Sequence, residues 1–119
     1  MIRGMLKSKI HRATVTNAFL EYEGSLTVDQ DLMDAVGLIP NELIHVCNIN
    51  NGERLETYVI PGIRGNGDIC LNGAAARKGM VGDRIIILSY CYVSDEEIKN
   101  GFIPSIISLS DDNKLYKTF

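Results

Sequence analysis

Leu43-Ile44-His45-Val46-Cys47-Asn48-Ile49-Asn50-Asn51-Gly52-Glu53-Arg54-Leu55-Glu56-Thr57-Tyr58-Val59-Ile60 is the stretch whose reading decides the fold. Its two flanks, Leu43 to Ile49 and Arg54 to Ile60, are rich in β-branched and aromatic residues. Between them, Asn50-Asn51-Gly52 is a strong hairpin signal, because Asn and Gly tolerate the positive φ that a tight turn between twisted strands requires. The same punctuation recurs along the chain. Ile2 to Thr16, Ser25 to Val28, Asp68 to Leu71, Arg84 to Val93 and Ile106 to Leu109 read as further strands, with a turn at Asp111-Asp112-Asn113 and a short last strand. In the first of these the apolar alternation is imperfect.

Helix signals are few. Asp29 is a good N-cap for a segment ending at Val36, where Leu32, Met33 and Val36 form one apolar stripe and Gly37 suits the C′ position. Asn72 to Lys78 reads as a turn entering one helical turn. Many short strands with one or two small helices predict a mostly-β domain, closed or nearly closed into a barrel. At 119 residues the chain is expected to be a single domain.

Composition narrows the function. Hydrophobic residues are 45% and charged residues 23%, ordinary for a globular protein. The longest apolar runs, such as Ile85-Ile86-Ile87-Leu88, fall far short of the ~20 residues of a membrane span. Lys7, Lys9 and Arg12 interrupt any signal-peptide core, so a cytoplasmic location is expected, with no membrane partner. The three cysteines, Cys47, Cys70 and Cys91, are widely spaced and make no CxxC pair, which argues against both a disulfide framework and a zinc site. Cys47 and Cys70 read as small buried hydrophobes. The only histidines are His11 and His45, too few and too scattered for a metal site. Residues 1–20 carry Arg3, Lys7, Lys9 and Arg12 without any acid, within a net charge of −3. Such a segment fits either an arm on nucleic acid or a strand whose cations face an anionic small substrate or an acidic neighbour. The second reading is preferred, because no aromatic residues interleave the cations.

The chemistry centres on Tyr22-Glu23-Gly24-Ser25. Gly24 has no Cβ, which leaves its carbonyl open, and the Ser25 hydroxyl stands one carbon from the nitrogen of the same peptide bond. Attack of that hydroxyl on the Gly24 carbonyl would replace the amide by an ester. β-Elimination and hydrolysis would then leave a pyruvoyl ketone at a new N-terminus, an electron sink built from the chain. Alone, a Gly-Ser pair is most often a turn.

Four other blocks give it context: Met5-Leu6-Lys7-Ser8-Lys9-Ile10-His11-Arg12, Asn51-Gly52-Glu53-Arg54-Leu55-Glu56-Thr57-Tyr58, Asn72-Gly73-Ala74-Ala75-Ala76 and Val81-Gly82-Asp83. In this order and spacing, from Met1 to about Ser94, the chain closely resembles the pyruvoyl-dependent aspartate 1-decarboxylases. The resemblance fades in the C-terminal tail.

That resemblance implies a double-psi β-barrel, assembled as a homotetramer with sites between subunits. It implies self-cleavage of the 1–119 barrel domain at Gly24-Ser25 into a β chain, 1–24, and an α chain, 25–119, with Ser25 becoming the covalent pyruvoyl cofactor. Neither a metal nor pyridoxal phosphate is expected. The activity implied is decarboxylation of L-aspartate to β-alanine and carbon dioxide, supplying pantothenate biosynthesis. The ketone would hold the substrate amine as an imine that accepts the electron pair left by the departing carboxylate.

Matching positions suggest individual roles. Thr57 and Asn72 stand near the scissile bond, and the Thr57 hydroxyl can support the Gly24 oxyanion. Arg54 is expected to grip the substrate's second carboxylate with its guanidinium fork. Lys9 binds the same anion or aids processing, and His11 does either less directly. Tyr58 matches the proton donor to the carbanion. Gly73, Ala74 and Ala75 let backbone N–H groups approach the substrate. On a regular strand Arg54 and Tyr58 share one face while Thr57 points to the other. A site using all three side chains therefore needs a bend, or uses Thr57 through its backbone. The competing readings are a small DNA-binding barrel and an uncleaved relative serving only as an oligomer subunit. Intact mass and salt-sensitive DNA binding separate them.

Overall fold

The structure, a computed structural model, describes all residues from Met1 to Phe119. Its elements run β1 (Ile2–Thr14), β2 (Asn17–Phe19), β3 (Ser25–Asp29), α1 (Gln30–Val36), β4 (Leu43–Asn48), β5 (Arg54–Gly62), β6 (Ile69–Asn72), a 3-10 turn (Gly73–Arg77), β7 (Arg84–Ser94), α2 (Asp95–Lys99), β8 (Ser105–Leu109) and β9 (Leu115–Thr118). The strands are ordered β2-β6-β3-β5-β4-β7-β1-β8-β9.

The sheet curls back on itself because β1 and β2 are one continuous stretch of chain. β2 pairs with β6 at one end of the order, while β1 pairs with β7 and β8 near the other. Only Val15 and Thr16 separate them, and they are stitched in by Val15 N to Asp83 O at 2.9 Å and Thr16 N to Ile69 O at 2.8 Å. Three pairings are parallel, β1 with β8, β2 with β6 and β3 with β5, so the connections between those strands must cross over. The result is the mostly-β, barrel-like fold expected from the sequence.

Ile10, Leu26, Ile44, Val59, Leu71 and Ile87, from six different strands, are all at or near zero exposure at its centre. Each such side chain contributes about 1.5–3 kcal/mol by leaving water. Met33 and Val36 of α1 close the core on one side.

The imperfect alternation of the first strand has a local cause. Its register with β7 shifts between Leu6 and Ser8 and again between Ile10 and Ala13. Arg12 takes φ 64° inside the second irregularity, so residues on either side of it change face. Hairpin β4–β5 forms as read, with Gly52 at φ 75°. Helix α1 begins at the Asp29 cap, whose carboxylate accepts from Asp31 N at 2.8 Å, and ends at Gly37 with φ 73°. Helix α2 was outside the sequence expectations. Its signal was present: Ser94 and Glu97 cap each other's backbone N–H groups in a capping box.

The basic residues of the first strand are partly committed inside the chain. Arg3 Nε meets Asp95 Oδ1 at 2.7 Å and Lys7 Nζ meets Glu42 Oε2 at 3.0 Å. β1 is paired on both edges rather than standing out as an arm. Cys70 is buried as expected, whereas Cys47 is only half-buried, because it lies on the outer face of β4; all three cysteines are free. No helix is long and apolar enough to cross a membrane.

Candidate active site

Ser25 opens β3, where it pairs with Asn72 at the end of β6. It is 1% exposed, and its Oγ accepts a hydrogen bond from Asn72 Nδ2 at 2.9 Å. A buried hydroxyl with a fixed donor is poised for chemistry at oxygen, since charge developing on Oγ meets an N–H already in place. Gly24 is exposed beside it and has a negative φ, so the sharp geometry of this corner resides elsewhere. It resides at Gly73, with φ 65°, where a Cβ would fall 2.7 Å from Tyr22 O and 2.9 Å from both Gly24 N and Cα. The segment before the Gly24-Ser25 bond therefore packs against a glycine that no other residue could replace without movement.

A cleft of about 220 Å³ opens at this corner. Gly24, Thr57, Asn72, Ala74 and Ala75, all singled out from the sequence, line it together with Lys78. Thr57 is half-buried on β5 and lines the same cleft as Gly24, and its hydroxyl makes no hydrogen bond within the chain. Gly73 and Ala75 are buried at the start of the 3-10 turn. Lys78 was not foreseen. Its Nζ pairs with Glu53 Oε2 at 2.7 Å, and nothing in the local sequence marks it as a cleft residue.

The remaining residues of the proposed set lie on the other face of the sheet. Along β5, Arg54, Glu56 and Tyr58 are exposed while Leu55 and Thr57 are half-buried, the alternation a regular strand demands. No bend brings the two faces together. Glu56 pairs with His45, His45 with Leu88 and Leu88 with Lys9, so Lys9 shares the outer face with Arg54 and Tyr58. Three strand spacings separate Lys9 from Glu56 along that row, roughly 14 Å. Arg54 borders a separate hollow with His45, Cys47 and Glu56. His11 lies further along β1, half-buried, opposite Ser108 of β8. Its Nδ1 is buried without a partner. Burial, aided by the charges of Lys9 and Arg12, pushes its pKa below the usual histidine value.

One chain thus separates these residues into two groups: a cleft beside the Gly24-Ser25 bond and an outer face carrying Lys9, Arg54 and Tyr58. No group of three or more His, Cys, Asp or Glu side chains gathers where it would hold a metal ion.

Comparison with known proteins supplies the class. The family model described as Aspartate decarboxylase matches residues 1–116, which extends the likeness through the tail where the sequence reading lost it. A relative named aspartate 1-decarboxylase from Caldicellulosiruptor saccharolyticus is 57% identical over 117 residues, covering 98% of this chain and 91% of its own. One of the same name from Bacillus subtilis is 56% identical over 115 residues, covering 97% and 90%. A third, from Leptospira biflexa, is 54% identical over 114 residues, covering 96% and 97%. The small β-barrel is therefore the scaffold of a carboxy-lyase. The chain belongs to the aspartate decarboxylase family.

Proposed function

We propose that this chain cuts itself between Gly24 and Ser25 and that the product decarboxylates L-aspartate to β-alanine and carbon dioxide. The β chain would be residues 1–24 and the α chain residues 25–119, headed by a pyruvoyl group made from Ser25. The observation that carries this reading is the buried Ser25 Oγ, held by Asn72 at a corner where Gly24 lines an open cleft.

In the first step Oγ bonds to the Gly24 carbonyl carbon, the C–N bond breaks, and the Oγ proton ends on the Ser25 nitrogen. Asn72 Nδ2 donates to Oγ as its charge changes, and Thr57 supports the carbonyl oxygen from the cleft side. In the second step Cα of residue 25 loses a proton and the Cβ–Oγ bond breaks, releasing Gly24 as a carboxylate. Tautomerisation of the remaining enamine, addition of water and loss of ammonia complete the ketone. The cradle at Gly73 fits this sequence, since it holds residues 22–24 by backbone contact and leaves the bond itself uncrowded.

When present, the pyruvoyl ketone supplies an electron sink for the pair released as carbon dioxide leaves. The chain's own residues select and orient. Arg54 offers a fork to the carboxylate that is retained, Lys9 adds positive charge, and Tyr58 carries a phenolic proton for Cα. The separation of these residues onto opposite faces supports a homotetramer in which the outer face of one subunit completes the cleft of another. Exposed Leu43 and Tyr90 on the same face are consistent with such burial. The small anionic substrate and its β-alanine product suit a cytoplasmic supply of pantothenate precursors.

Intact mass of purified protein tests the reading. Two fragments parting after Gly24 are expected, together with carbon dioxide release from L-aspartate. A Ser25→Ala chain should stay whole and inactive; turnover by that variant would remove the mechanism.

A further inference from the structure

Asn72 Nδ2 donates to two hydroxyls at once, Ser25 Oγ at 2.9 Å and Thr27 Oγ1 at 2.9 Å. A side-chain amide nitrogen carries two hydrogens in a fixed plane, so these bonds consume both. The torsion that turns an amide about its last bond is broad, with no steep well of its own. A single bond to Ser25 would leave the amide free to swing. A second bond fixes its plane. Ser25 and Thr27 are two apart on β3 and share the face toward Asn72. The Thr27 methyl has a separate task, packing 3.1 Å from where a Cβ on Gly62 would sit.

We propose that Thr27 is a positioning residue for self-cleavage, pinning Asn72 so that its other N–H aims at Ser25 Oγ. The inference rests on the self-cleavage reading above. It adds no bond-making step. A pinned N–H meets Oγ while that oxygen gives up its proton and joins the Gly24 carbon, and meets it again when it departs with Gly24 as carboxylate. A swinging amide would spend part of its time turned away, and each step would wait for its return. Asn72 is 2% exposed, so water is a poor substitute for the Thr27 hydroxyl.

Two substitutions separate the hydroxyl from the methyl. Thr27→Val keeps shape and β-branching but loses the oxygen, while Thr27→Ser keeps the oxygen and loses the methyl. Cleavage is followed by intact mass after rapid purification, with thermal melting recorded for each chain. The expected result is cleavage slowed about tenfold or more in Thr27→Val and restored to within about threefold in Thr27→Ser. In a Ser25→Ala background, where nothing is cut, the Asn72 side-chain amide signals should exchange faster with water in Thr27→Val than in Thr27→Ser. Parental cleavage rates in Thr27→Val would overturn the proposal. So would a Thr27→Ser chain slowed as much as Thr27→Val, which would assign the residue to packing on Gly62. If Thr27→Val fails to fold, equal amide exchange in the Thr27→Ser and Thr27→Ala chains overturns it. A parental chain that stays whole would sink the self-cleavage reading, and the role of Thr27 with it.

Discussion

Gly73 holds Gly24 at a distance that leaves no space for a side chain between them: a Cβ on Gly73 would lie 2.9 Å from Gly24 Cα. The contact is between backbones, so neither side can yield by rotating a side chain. Gly73 also has φ 65°, a left-handed conformation costing other residues about 1–2 kcal/mol.

Gly73→Ala should therefore act on the Gly24-Ser25 corner rather than on the barrel as a whole. The strain alone predicts a loss of about 1–2 kcal/mol in stability, with more if residues 22–24 cannot shift. Displacing those residues moves the Gly24 carbonyl away from Ser25 Oγ, so cleavage should slow by a larger factor than melting would suggest. Thermal denaturation and a time course of intact mass check the two effects separately. A chain that is destabilised yet cut at the parental rate would show that the close approach serves folding alone.

Tyr58 lies on the outer face of β5, 39% exposed in the single chain, away from the hydrogen bond at Ser25. Tyr58→Phe removes only the phenolic oxygen. The variant should still be cut, but its turnover of L-aspartate should drop by about 10²- to 10⁴-fold, the usual cost of losing a positioned proton donor. Steady-state carbon dioxide release on fully cleaved protein gives the comparison. Undiminished turnover would pass the proton to water or another group.

Asp29 is a carboxylate buried to 3% exposure that caps α1 and also accepts from Gly65 N at 3.1 Å and Gly67 N at 2.8 Å. Burial by itself would raise its pKa. The backbone N–H groups of Gly67, Asp31 and Gly65, with the charge of Lys114, outweigh that and hold it below the ordinary carboxylate value. The sign follows from linkage: the folded chain binds this proton less readily than the unfolded one. Its stabilisation is full above an unfolded pKa of about 3.9 and is lost as pH falls through the depressed folded value. Asp29→Ala should cost about 2–4 kcal/mol at pH 7, by loss of the cap and of partners for two loop N–H groups. Urea denaturation at pH 7 and near pH 3 checks this, since the gap between parent and variant should narrow in acid.

Much of the fold was legible because it rests on local chemistry. The β4–β5 hairpin is specified within its own turn, by Gly52 at φ 75° and by the Asn48 and Asn51 side-chain oxygens that accept from turn N–H groups, and Asp29 with Gly37 brackets α1 through caps. Alternation along Arg54 to Tyr58 placed Thr57 opposite the other two from strand geometry alone. Helix α2 escaped notice although its Ser94–Glu97 capping box was readable, because a five-residue helix has no apolar stripe to draw attention. The imperfect alternation of Ile2 to Thr16 marked β1 as irregular without giving the form of the irregularity. Its bulges are set by pairing with β7, and Arg12 accepts a positive φ that its own chemistry does not favour.

The chain order alone fixed the hairpin, the capped helix, the Gly24-Ser25 bond and the family blocks around it. All of these depend on residues within a few positions of one another, where backbone preference and side-chain reach suffice. Tertiary structure decided what lies across from what. Ser25 meets Asn72 through a pairing 47 residues apart in sequence, and Gly73 receives the backbone of Tyr22 and Gly24 through the same return of the chain. Thr27 and Lys78 became visible as neighbours of the site only there. Sheet register and closure bring such distant residues within hydrogen-bond length, and they are properties of the whole barrel that no short stretch encodes.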